Sequence, residues 1–142
     1  MARRCVKSTF TALTIVLLAL GLFTGCQSQS TPTPTPEPPI MHTSRLIAER
    51  YLERCPTFVF DGIPFTADLK NVDRGGCEYC FIFHFEFQSA HTGYGDRGGQ
   101  YLAEVITTHT ASITVEDGRV VAGIIDDKWD ILAQRFLPGT GP

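Results

Sequence analysis

The chain has 142 residues, of which 43% are hydrophobic and 19% charged, and its formal net charge is -3. Three of its twelve basic residues, Arg3, Arg4 and Lys7, fall in the first 25 positions, so the chain from Cys26 onward carries nine basic against fifteen acidic residues. Such an acidic surface repels phosphate backbones, and no Lys/Arg cluster follows residue 25, which excludes nucleic acid as a partner class.

Arg3, Arg4 and Lys7 precede a mostly apolar run over residues 10–23, the pattern of a secretory signal peptide. A membrane-spanning helix needs roughly 20 apolar residues, and this run stops short at Thr24-Gly25-Cys26. The segment Leu22-Phe23-Thr24-Gly25-Cys26 resembles the lipobox of bacterial lipoproteins. That resemblance implies cleavage before Cys26, attachment of diacylglycerol to its sulfur, and a protein held on the cell membrane or outer membrane with its domain facing the periplasm or exterior. Two or more acyl chains anchor stably where one binds only marginally. Residues 27–39 alternate Thr and Pro without a large apolar side chain, which predicts a polyproline-like tether reaching roughly 3.1 Å per residue. The expected organisation is a leader over 1–25, a lipidated cysteine and tether over 26–39, one folded domain over 40–137, and a tail over 138–142.

In that domain Thr43 or Ser44 can cap a helix carrying Leu46, Ile47, Ala48, Tyr51, Leu52 and Cys55 at helical spacing, ended by Pro56. The period then changes to two. Residues 57–60 read as a strand, Asp61-Gly62 as a turn, and Phe65, Ala67 and Leu69 as one face of a returning strand. Residues 79–88 alternate more strongly, with Tyr79, Phe81, Phe83, Phe85 and Phe87 on one face, and five large apolar side chains there predict the core.

A long strand follows over 101–116, then Asp117-Gly118 and a third strand over 119–126. Asp-Gly between alternating apolar runs is a type I′ hairpin signal. Its register sets Glu116 against Arg119, Val115 against Val120, Ile113 against Ala122, Ala111 against Ile124 and His109 against Asp126. Trp129, Leu132, Ala133 and Phe136 form a stripe that predicts a short closing helix over 127–136. The expected class is α+β: an amino-terminal helix on a four- to five-stranded antiparallel sheet, with a short carboxy-terminal helix. This element order resembles cystatin-like and PepSY-like exported domains, a likeness that implies binding of other proteins.

Four glycines, His91, Tyr94, Asp96 and Arg97 crowd the loop 89–100, longer than a hairpin needs, so it is the candidate binding surface. Gly93, Gly95 and Gly98 match G-x-G-x-x-G, but strand-like Val105-Ile106-Thr107 follows where a dinucleotide site needs a helix. Cys77, Cys80, His84 and His91 can be written as a metal site. In an exported protein a disulfide among Cys55, Cys77 and Cys80 is the better reading, with Cys55–Cys77 and Cys77–Cys80 both open. An odd three leaves a free thiol or an intermolecular bridge. His109 with Asp126, and His91 as an alternative member, suggest acid-base chemistry, yet no nucleophile elbow accompanies them.

The sequence therefore points to a lipid-anchored envelope protein whose domain binds an envelope protein or peptide without a cofactor. A small hydrolase or metal-dependent enzyme using His84, His91 and His109, or a structural envelope protein, are the alternatives.

Overall fold

The computed structural model describes residues 37–141; the leader, Cys26 and most of the tether lie outside them. Helix α1 spans Pro39–Arg54 and starts on a proline at its first turn, where the missing N–H costs nothing, with no side-chain cap. The expected cap Ser44 is instead buried, in line with Ala48 and Leu52 at four-residue spacing. On the outer side Arg45 pairs with Glu49 at 2.8 Å.

Pro56 ends α1 and starts a second helix, α2, Pro56–Asp61. The expected strand over 57–60 is therefore a helix. Thr57 is buried while Val59 is 67% exposed, so the inward positions do not alternate, and Phe58 meets Phe87 at 5.4 Å between ring centroids.

Six strands follow: β1 Asp68–Arg74, β2 Cys80–His91, β3 Glu104–Glu116, β4 Arg119–Ile125, β5 Trp129–Asp130 and β6 Arg135–Phe136. They form one antiparallel sheet in sequential order. This corrects the expected α+β class in its cystatin-like order. The described fold is mainly a six-stranded sheet, both helices precede it, the first begins only at Pro39, and no helix closes the chain.

The expected closing helix fails for local reasons. Asp126 and Asp127 adopt left-handed φ of 52° and 55°, and the Asp130 carboxylate accepts the Leu132 and Ala133 amides at 2.9 Å each. These turn the chain so that Trp129 and Phe136 pair across β5 and β6, their rings 5.1 Å apart and nearly perpendicular.

Phe81, Phe83, Phe85 and Phe87 are fully buried against Ala111, Ile113, Val115 and Ile125, with Ala48, Leu52 and Ile131 covering them. At roughly 1.5–3 kcal/mol each, these four rings dominate the core. Tyr79 falls outside it, because β2 begins one residue later and leaves that side chain in the preceding turn. Gly123 faces this core, where an added Cβ would lie 3.2 Å from Ile131 and 3.4 Å from Tyr51.

The Asp117-Gly118 turn has positive φ at both positions, 46° and 74°, as type I′ requires. Glu116–Arg119 and Val115–Val120 pair as expected. A bulge at Val121 then shifts the register, so Ile113 meets Gly123 and Ala111 meets Ile125.

Candidate functional site

The polar chemistry of the described residues gathers at the sheet end where β2 runs out and β3 begins. Ser89, near the end of β2, donates its hydroxyl proton to the His91 carbonyl at 2.6 Å, and His109 Nε2 lies 3.0 Å from the same oxygen. His109 Nδ1 stands 2.6 Å from Asp126 Oδ2, which also accepts the Tyr94 hydroxyl at 3.0 Å. The other carboxylate oxygen accepts the Thr110 amide at 2.7 Å. The bulge at Val121 thus moves the backbone pairing yet leaves the expected His109–Asp126 contact intact, because Asp126 is held by the Thr110 backbone.

Burial works against ionisation of Asp126, but hydrogen bonds from His109, the Thr110 amide and Tyr94 outweigh it and hold its pKa below the ordinary carboxylate value. Burial, with the Asp126 charge beside it, pushes the Tyr94 phenol up to about 12.

Serine, histidine and carboxylate in a row have the composition of a hydrolytic relay. The geometry runs otherwise. Ser89 is 0% and His109 2% exposed, and the serine proton points at a backbone carbonyl instead of the imidazole. A substrate carbonyl has no approach to that oxygen, so the row acts as an internal clamp joining β2, β3 and the residues after β4.

A second cluster lies beside it. The Asp61 carboxylate, at the end of α2 and 5% exposed, takes Arg97 Nη2 on one oxygen and the His91 amide on the other at 3.0 Å, with His91 Nδ1 also 3.0 Å away. The Arg97 guanidinium lies over the Phe60 ring at 4.8 Å, and its Nε and Nη1 are buried without a partner among the described residues. Gly93 makes room for it: φ is 97°, and an added Cβ would sit 3.2 Å from Arg97 Cδ. Tyr94 stacks on Trp129 at 5.7 Å, and the Gly95 amide donates to Thr57 Oγ1 at 2.8 Å.

Of the four expected loop residues, Arg97 is therefore buried, His91 and Tyr94 are partly buried and bonded inward, and Asp96 is exposed, accepting the Gly98 amide. The histidines do not converge. His84 stands on the opposite face of β2, bridging Ser112 and Asp73, while His91 and His109 serve different carboxylates. Cys77 and Cys80 form a disulfide, which occupies both sulfurs of the possible metal set; Cys55 is free and buried, and burial raises its thiol pKa. Among the described residues no group of three or more metal-ligating side chains is assembled.

Asp61 and Thr57, which anchor the loop across about 30 to 40 residues of chain, escape sequence reading. Asp61 looks like a turn residue beside Gly62, and Thr57 like part of a strand. Only the inward demand of a buried Arg97 for a carboxylate hints at them.

Beside the loop lies a cleft of about 510 Å³ lined by Arg54, Pro56, Val59, Phe60 and Asp96. Its apolar wall comes from α2, and its charges are one cation from α1 and one anion from the loop. Comparison with protein-family models, with curated proteins and with solved structures finds no match.

Proposed function

We propose that this chain is a lipid-anchored protein of the cell envelope, attached through Cys26 and carried off the membrane by its Thr/Pro tether, whose folded part is a non-enzymatic binding domain. The ligand it fits best is a short peptide segment of an envelope protein, received in the cleft between α2 and the loop. The observation that carries this reading is the lining of that cleft. Pro56, Val59 and Phe60 offer an apolar wall, and Arg54 and Asp96 offer one charge of each sign. A mostly apolar cleft of a few hundred Å³ with a few polar groups is the usual form of a binding site. The buried clamp and the Asp61 cluster support it from below, fixing the position of Asp96.

A photo-crosslinking side chain in place of Val59, used in intact cells, is expected to give discrete adducts. The joint reversal Arg54→Glu with Asp96→Lys should lower their yield severalfold, since rim charges steer encounter more than they hold the complex. Adducts indifferent to the reversal, or the same adducts from a crosslinker at Glu86, on the sheet face turned away from the helices, would contradict the reading.

A further inference from the structure

Arg54 lines a second groove besides the cleft. This groove, of about 260 Å³, runs beside α1, with Ile47, Arg50, Tyr51 and Arg54 on the helix side and Val120 of β4 on the other. The two hollows therefore adjoin at one side chain. A ligand leaving the cleft past Arg54 enters the groove, and from Arg54 back to Ile47 α1 rises about 10 Å.

The charges on this side of α1 are unbalanced. Arg45 is held by Glu37 and Glu49, whereas Arg50 and Arg54 join no ion pair among the described residues. Both are exposed and stand four residues apart, where like charges on a helix repel each other. An anion set between them removes that repulsion. The opposite flank rejects one. Tyr51, its phenol raised by burial and then by neighbouring Cys55 and Asp130, stays neutral, and the Asp130 charge beside it repels a carboxylate. Acidic groups in the groove therefore belong against the arginines.

We infer that the cleft's peptide is acidic and extended and continues along α1. One carboxylate sits against Arg54 and a second against Arg50 two residues further on, while the residue between them turns to Val120. The inference rests on the cleft reading above, whose ligand it specifies. The spacing fits: four residues of α1 rise about 6 Å, and alternate side chains of an extended chain lie about 6.6 Å apart on one side of it. A helix about 10 Å across is too broad for a groove of this volume. The recognised pattern is thus an apolar side chain in the cleft, followed by acidic, apolar and acidic residues in the groove.

Mapping photo-crosslinks in intact cells, with the full chain, tests it. A crosslinking side chain in place of Leu46, which is 42% exposed and one turn before Arg50, is used beside the Val59 variant. Both are expected to capture the same protein. Digestion and mass spectrometry should place the two attachment points within about ten residues of each other, since α1 and α2 span at most about 20 Å from 46 to 59, with two acidic residues one apart between them. Arg50→Glu should lower the Leu46 adducts on the order of fivefold and Arg50→Lys less than twofold, both with the parent's melting temperature because Arg50 is exposed. Val59 adducts unaccompanied by Leu46 adducts on the same segment, a segment without the paired acids, or yields indifferent to Arg50→Glu would each overturn the inference and leave the cleft reading standing. Lipid adducts at Leu46 would overturn it too, making the groove a membrane face. The absence of discrete adducts at Val59 would overturn the cleft reading and this one together.

Discussion

Asp126 serves four groups at once: the His109 ring, the Thr110 amide and hydroxyl, and the Tyr94 hydroxyl. Its depressed pKa gives the sign of a pH effect. Above the ordinary carboxylate range Asp126 is ionised in both the folded and unfolded chain, and its hydrogen bonds stabilise the fold in full. As pH falls through that range and on through the lower folded-state pKa, that stability is lost. Asp126→Asn is expected to cost about 1–3 kcal/mol near neutral pH, because it leaves the buried His109 short of a charged partner. Urea melts at pH 7 and below pH 4 should show the variant weaker at the first and closer to the parent at the second. A variant with the parent's stability at pH 7 would mean that the clamp contributes little. His109 with Asp126 was the one pairing of this site open to sequence reading, since the hairpin signal brings them to the same end of the sheet. Asp61 was not, because an Asp-Gly pair reads equally well as a turn.

At the scale of elements, the turn into β1 has an unusual occupant. Pro64 and Phe65 stand at its centre, the Thr66 amide reaches back to the Ile63 carbonyl, and Phe65 takes φ 64° with its side chain fully exposed. That third turn position favours glycine, and a bulky residue there is strained. Phe65→Gly is expected to raise stability by about 1 kcal/mol, the strain relieved less the added freedom of the unfolded chain. A loss of stability on the same thermal melt would show that the exposed ring has a contact holding it. Strand β2 and the Asp117-Gly118 hairpin were legible because one alternating face or one two-residue turn determines them locally. Residues 57–60 and 127–136 were not. Four alternating residues after a proline suit a helical turn as well as a strand, and a Trp129–Phe136 spacing of seven puts both rings on one helix stripe or opposite each other across a hairpin. In the second case the left-handed aspartates and the Asp130 cap decide, and neither leaves a periodic signal.

For the whole molecule, the described residues unite a phenylalanine-faced sheet, two helices over one side of it and a glycine-rich loop tied down by Asp61, Thr57 and Trp129. The loop's length led sequence reading to a recognition surface. Its glycines instead let Arg97 and Tyr94 turn inward, and leave Asp96 at the edge of the cleft. Binding in the proposed sense needs this domain to stand on a membrane, and that depends on Cys26. Intact mass spectrometry of the membrane-extracted protein tests this most directly. The expected mass is that of a chain beginning at Cys26, carrying a diacylglycerol thioether and lighter by two hydrogens for the Cys77–Cys80 bond. A chain still beginning at Met1, or one cut there without lipid, would contradict it.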